Sequence, residues 1–440
     1  MAERLLVLGG DPAGVAAAAT VRRLRADVEI VVAEAGTYTD WVTEGVPQLV
    51  GGLIDDLERL CGLRPTDLRD QLRIDIRCGH AVSGIDLDSR EVEIDDGEHQ
   101  RSYRLGFDHL LLAGWGRSPV PDALAGAPVI DPAVPDDALA LSLGLAGGTR
   151  HAVMIGAGLA GLGLAEALAQ RGVKVTVVDP AGHLLSDFDA DLVKPVGRAL
   201  EQQGIAVQVG GEIRGYEDGR VATDRGLLPE AIVVAGTDPG PANQVAGEAG
   251  ITLGITGGAA VDARFRTGAD GVWAVGRAAE VRHRLSDSPL MAGSGMQVAQ
   301  GRAAGTGIAG GYQRDPWPLD LRAGRVGGYE IARVGLTAGQ AEAAGFEVRT
   351  ATVAGSARAS WFPGARPLMV RLVAERGSGL ILGVQAVGVE AAVRAVETTT
   401  LAIDQQLDVG RLARLEAPGA PALGASPDPL RAAASELATT

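Results

Sequence analysis

The sequence predicts an α/β fold: two Rossmann-like nucleotide-binding domains built on parallel sheets, followed by a C-terminal α+β domain. Three observations carry this. An apolar run, a glycine-rich turn and a small-residue helix open the chain, and the same plan returns far downstream over residues 151–179. Short apolar runs bounded by glycine lie around the second copy, as buried parallel strands do. Beyond a Pro-rich stretch at 314–319, residues 330–348 and 368–387 read as strands with helices between them.

Arg4–Leu8 reads as a buried strand, residues 13–24 as a helix, and residues 28–33 as the next strand, ending at Glu34. The second copy runs from a strand through Gly156-Ala157-Gly158-Leu159-Ala160-Gly161, a helix to Gln170 and a strand from Lys174 that ends at Asp179. In such a turn the first glycine bends tightly and the second lets the backbone approach a pyrophosphate. The third lets helix and strand pack closely. The helix N-terminus offers free N–H groups and partial positive charge. The strand-end acid takes a ribose hydroxyl, and Asp179 in that place favours NADH because it repels a 2′-phosphate. The first turn departs from the pattern: Gly9-Gly10-Asp11-Pro12-Ala13-Gly14 has Asp11 at the second glycine's position. Residues 108–116 and 231–239 are further strand-plus-glycine segments, and residues 271–276 read as a strand and turn leading into a helix near Ala278.

Composition narrows the function. The chain has 440 residues, enough for two to three domains, with 46% apolar residues and 63 glycines. Its net charge of −15 and 3% aromatic content disfavour a nucleic-acid partner. There is no apolar run of membrane-spanning length, and a first strand near residue 4 leaves no room for a signal peptide. Cys61 and Cys78 are the only cysteines, with no CxxC, and the six histidines have no metal spacing. A reduced, cytoplasmic setting is expected.

The chain resembles the pyridine nucleotide-disulfide oxidoreductases, in the branch of coenzyme A-disulfide reductases and NADH oxidases. The resemblance rests on GGDPAG, on EAGTYTDWVTEGVPQLVGG at 34–52, on the second turn and on the VWAVG strand. FPGARPL at 362–368 and LILGVQAVG at 380–388 extend it to the C-terminal region. It implies an FAD-type domain at 1–118 and 252–313, interrupted by an NAD-type domain at 119–251, and a dimerisation domain at 320–440. It also implies a homodimer acting on a small-molecule substrate. Gly9, Asp11, Gly14, Glu34 and Arg277 then line the FAD site, and Gly156, Gly158, Gly161 and Asp179 the NADH site.

The departures from the family pattern matter as much. Where the family has a redox cysteine in Cys-Gly-Leu-Pro, this chain has Glu44-Gly45-Val46-Pro47. A carboxylate forms neither a disulfide nor a charge-transfer thiolate. Arg277 replaces the family's acid after the VWAVG strand, and Leu159 and Gly163 replace an aromatic and a Glu around the second turn. Residues 419–423 read Gly-Ala-Pro-Ala-Leu where the family has paired tyrosines. Asp11 and Arg277 are expected to lie close together, either gripping the pyrophosphate or closing the groove as a salt bridge. Glu44 and Asp40 are candidate acid/base groups, on one helix face if that stretch is helical, with Glu44 either facing the flavin pocket, buried and with its pKa raised, or solvated in a wet groove. Trp41 and Trp115 flank the same region, Trp361 and Phe362 fall where the family has interface aromatics, and His283 is expected at the surface. Three functions remain open at this level. One is an FAD-dependent, NADH-linked oxidoreductase without a redox cysteine, reducing a small organic acceptor, a quinone or oxygen. Another is a repurposed scaffold catalysing a non-redox cyclisation, isomerisation or elimination. The third is a catalytically silent dimer that binds a nucleotide or a partner protein.

Overall fold

A computed structural model describes residues 3–145, 148–291, 293–313, 317–417 and 419–439. Residues 314–316 of the expected Pro-rich linker lie outside the described residues. In the first of three five-stranded sheets, Val272–Ala274, His109–Leu112, Arg4–Leu8, Glu29–Glu34 and Asp75–Cys78 lie side by side, all parallel. Leu5, Leu6 and Val7 are consecutive and fully buried, so both faces of the sheet are covered, as parallel sheets require. The helix Pro12–Leu24 packs on this sheet and against Ser294–Ile308 through its alanine-rich face, which includes buried Ala13, Ala17 and Ala18.

The second sheet repeats the design, in the order Ala206–Val209, Lys174–Asp179, His151–Ile155, Ile232–Ala235 and Val129–Ile130. The chain builds it between two visits to the first sheet, since Val272–Ala274 returns beside His109–Leu112. The third sheet is antiparallel: Arg322–Val326, Tyr329–Gly335, Ile381–Gly388, Pro367–Glu375 and Val348–Ser356. Its central strand Ile381–Gly388 is buried along its whole length.

Two expectations fail, each through competing backbone pairing. No helix forms near Ala278: the 3₁₀ turn Gly276–Ala278 leads into the strand Ala279–Arg282, which pairs with Ala259–Ala260 and Pro289–Met291. The helix comes later, at Ser294–Ile308. Residues 40–45 are not helical either. Asp40 has φ 52°, Trp41 bridges Cys61, and Thr43–Gly45 is a single 3₁₀ turn. The helix starts only at Val46, with Pro47 in its first turn. Asp40 and Glu44 therefore share no helix face.

Candidate active site: two glycine-rich turns

The second turn is open. Gly156 has φ 111°, and a Cβ there would lie 2.9 Å from Thr237 Cγ2, so glycine is required. Gly158 is the N-cap of Leu159–Gln170, with no side-chain cap. A Cβ at Gly158 would meet nothing within 4 Å. Backbone N–H groups at this helix start thus face open space, which suits an anionic diphosphate. Gly161 lies against the backbone of Gly156 and Gly236, as close helix–strand packing demands. Asp179 accepts N–H bonds from Ala157 (2.6 Å) and Ala181 (2.7 Å), which pins its carboxylate beside the turn. These residues fit an NAD-type dinucleotide.

The first turn has the same skeleton and a different cap. Gly9 has φ 107°, and Gly14 packs against Gly9 and Ala113. Glu34 accepts from Gly10 N and Gly36 N, both at 2.7 Å, the counterpart of the Asp179 grip. Asp11, only 4% exposed, is the N-cap of Pro12–Leu24, and its Oδ1 accepts from Gly14 N at 2.7 Å. Its Oδ2 is buried with no hydrogen-bond partner among the described residues. Burial holds the Asp11 carboxyl well above the usual carboxylate range. The Gly14 N–H opposes that shift, and the neighbouring charges of Glu34 and Asp40 add to it. Burial also raises Glu34, against the pull of its two N–H donors. The skeleton fits an FAD-type dinucleotide provided that Asp11 is uncharged, since an ionised Asp11 would face the diphosphate with like charge.

A cavity of about 260 Å³ lies beside this turn, lined by Asp11, Glu34, Tyr38, Trp41, His80 and Trp115 among others. Trp41 is 3% exposed and Trp115 half-buried, so both form its wall as well as packing the core. Trp41 Nε1 is a second buried polar atom with no partner among the described residues. Sequence reasoning missed His80 and Asn243. Asn243 also lines the cavity, and its Nδ2 donates to Ala278 O (2.7 Å) and Gly257 O (3.1 Å). A lone His or Asn in loop-rich sequence carries no spacing signal that could have marked either.

Arg277 does not pair with Asp11, contrary to expectation, and does not line the cavity. It is 6% exposed, and its guanidinium turns the other way, with Nη1 donating to Pro239 O at 3.1 Å and Nη2 3.7 Å from Asp238. Asp238 also meets Arg322 at 3.4 Å. Arg322 pairs with Asp320 at 3.0 Å, and Asp320 with Arg333. Arg333 Nη1 in turn donates to Asp187 O at 2.5 Å. Arg277 is thus part of a charge chain joining all three domains. The groove is not closed by an Asp11–Arg277 bridge.

The buried reading of Glu44 and the surface placement of His283 also fail. Glu44 is exposed and absent from the cavity wall. Asp40 is partly buried, and burial raises its carboxyl against an N–H from Leu63. His283 is buried, not at the surface, and its Nδ1 accepts from Leu285 N at 3.2 Å. Burial pushes the Cys61 thiol up to about 11 and raises Cys78 as well. Leu159 packs against Gly324 of the third sheet's edge strand, and Gly163 lies near Pro47. Trp361 is 73% exposed. No group of three metal-ligating side chains occurs among the described residues, and none of their helices is long and apolar enough to cross a membrane.

A family model described as pyridine nucleotide-disulphide oxidoreductase matches residues 3–304, and the dimerisation domain of the same family matches residues 325–425. An NAD(P)H coenzyme A polysulfide/persulfide reductase from Pyrococcus horikoshii is 29% identical over 405 residues, covering 88% of either chain. An NADH oxidase from Methanocaldococcus jannaschii is 26% identical over 443 residues, covering 98% of either chain. Among solved structures, an NAD-dependent persulfide reductase from A. fulgidus superimposes with a TM-score of 0.93 at 27% identity, over 99% of this chain and 83% of that one.

The raised Asp11 carboxyl gives a prediction for the unliganded protein. A group whose folded pKa lies above its unfolded value stabilises fully below the unfolded pKa and loses that contribution as pH rises through the folded one. Wild type should therefore lose stability relative to Asp11→Asn as pH rises above about 4, by up to about 1.4 kcal/mol per pH unit. The difference should level off above the folded pKa of Asp11. Asn keeps the cap. Denaturant unfolding of both proteins at several pH values checks this, and parallel curves would contradict it.

Proposed function

The chain belongs to the pyridine nucleotide-disulphide oxidoreductase family, and on that premise we propose that it is an FAD-containing oxidoreductase that takes hydride from NADH and delivers electrons without a thiol. The observation that carries this reading is the matched grip on the two strand-end acids. Glu34 and Asp179 each accept one N–H from the turn and one from the second residue beyond the acid, all at 2.6–2.7 Å. Both strand-end acids thus grip their turns alike, which supports two dinucleotide cradles, with Glu44 at the position that the family resemblance gives to a cysteine.

In this reading Gly156, Gly158, Gly161 and Asp179 hold NADH, with the uncapped helix start taking the diphosphate. Gly9, Gly14 and Glu34 hold FAD, with Trp41 and Trp115 keeping water from the cavity. Arg277, through Asp238, fixes the two nucleotide domains against each other. Bound flavin supplies a two-electron acceptor for nicotinamide hydride that can release electrons singly or in pairs. The acceptor is a small organic molecule, a quinone or oxygen, because neither cysteine offers a thiolate: both thiols have raised pKa values and neither lines the cavity. Neither Asp40 nor Glu44 lines the cavity; of the two, partly buried Asp40 is the better proton-transfer candidate and exposed Glu44 the weaker. The dimerisation-domain match supports a homodimer.

A second reading is favoured by one observation, the self-capped first helix. With Asp11 in the anion's place, the scaffold would do non-redox chemistry on a specialised metabolite, without flavin. Colour separates the two. The purified protein, as isolated or after reconstitution, should absorb at about 450 nm and bleach on anaerobic addition of NADH. A protein that stays colourless with excess FAD would sink the redox reading.

Three sets of substitutions follow. Replacing both Cys61 and Cys78 by Ser should leave NADH-driven bleaching unchanged, and loss of bleaching would restore a thiol to the mechanism. Asp179→Ala should lower the preference for NADH over NADPH in kcat/KM by about tenfold, the worth of one charged hydrogen bond. Glu44→Gln should change turnover by less than about twofold, whereas Asp40→Asn should lower it by about a hundredfold and remove the matching limb of the pH–rate profile.

A further inference from the structure

Arg322 belongs to the edge strand of the C-terminal sheet, yet its side chain reaches the second nucleotide domain. Gly324, two residues on and therefore on the same face of the strand, comes so close to Leu159 that a Cβ there would lie 2.9 Å from Leu159 Cδ2. Leu159 opens the helix of the second glycine-rich turn. The strand thus runs past the mouth of that turn.

Two loops flank the turn, and Arg322 meets a carboxylate on each. Leu185 N donates to Ala157 O within the turn at 2.8 Å, and Asp187 follows two residues later. A Cβ at Gly156 would lie 2.9 Å from Thr237 Cγ2, and Asp238 is the next residue. Arg322 Nη1 lies 3.9 Å from Asp187 Oδ2 and 3.4 Å from Asp238 Oδ2. The guanidinium is therefore suspended between the loops on either side of the turn.

Its bonding leaves one edge available. Nε donates to Asp320 Oδ1 at 3.0 Å, which anchors the stem. The Nη1 contacts are long, and their carboxylates are 59% and 48% exposed. Nη2 makes no hydrogen bond among the described residues, and the side chain is 27% exposed, so a ligand can reach it. Arg277 and Arg333, the other guanidiniums of the charge chain, are buried and bonded to Pro239 O and Asp187 O. A diphosphate at the turn would lie between Asp187 and Asp238, with like charge on both sides. The uncapped helix start offsets part of that repulsion, and a guanidinium fork matches phosphate oxygens in charge and geometry.

We propose that Arg322 is a cofactor-binding residue: its guanidinium takes the diphosphate of the nicotinamide dinucleotide at the second turn, keeping Asp320 on Nε and exchanging its long contacts with Asp187 and Asp238 for phosphate oxygens. The C-terminal domain thereby completes the NADH site of its own chain. The inference rests on the NADH reading above.

The test is calorimetric titration of the full-length protein with ADP-ribose, which carries the diphosphate and transfers no hydride, for wild type, Arg322→Gln and Asp238→Asn. Arg322→Gln should raise Kd about tenfold, the worth of one charged hydrogen bond. Asp238→Asn should bind as tightly as wild type or up to about threefold tighter, because it releases the guanidinium and removes a repelling charge. A role confined to joining the domains gives the opposite result for that variant, since Asp238 is as much part of the joint as Arg322. An Arg322→Gln Kd raised less than about threefold overturns the proposal and leaves the NADH reading standing. Weaker binding by Asp238→Asn overturns it too, and that outcome is readable even where Arg322→Gln does not fold. Failure of wild type to bind ADP-ribose overturns the NADH reading and the proposal together.

Discussion

The positive end of a helix has to be answered by something, and this molecule answers it in two ways. A helix that begins at the end of a parallel strand projects N–H groups with no intrahelical partner. At Leu159 no side chain among the described residues caps them, and a Cβ at Gly158 would meet nothing within 4 Å. At Pro12 the Asp11 carboxyl fills the place and takes the Gly14 N–H itself. Everything distinctive about the first site follows from that choice, including the buried carboxyl and the bare Oδ2.

The fold was largely legible in the sequence because it is set by local and repetitive signals. Arg4–Leu8, the two glycine turns and the strand-end acids each announce themselves through runs of residue types a few positions long. The same holds for the pairing of Glu34 and Asp179 with their turns, which follows once strand, turn and second strand are known. The failures came where distant segments decide. Residues 40–45 look compatible with a helix, but the Trp41–Cys61 bridge claims that backbone. Ala279–Arg282 is drawn into a small sheet by Ala259–Ala260 and Pro289–Met291. Cys61 lies 20 residues from Trp41, and Ala259 lies 20 from Ala279, so neither pairing could be weighed from composition.

Side-chain direction was the least readable level. Asp11 and Arg277 sit at the starts of neighbouring turns, and opposite charges at such positions invite pairing. The backbone at Gly276 does come close to Asp11, as expected. Yet the guanidinium is long enough to reach the Pro239 carbonyl and Asp238 on the other domain, where a carbonyl and a shared carboxylate satisfy it. The direction of Glu44 stayed open for a simpler reason: the family resemblance says nothing of which way a side chain of different length turns, and this one turns to solvent.

Asp238 is held in common by a guanidinium from the first nucleotide domain and another from the C-terminal one, while belonging itself to the second. It acts as a keystone. Its carboxylate is substantially solvent-accessible, so ions from the medium compete for it directly. The mutual orientation of the three lobes is thereby linked to ionic strength: brine loosens the joint while the hydrophobic interior of each lobe is untouched.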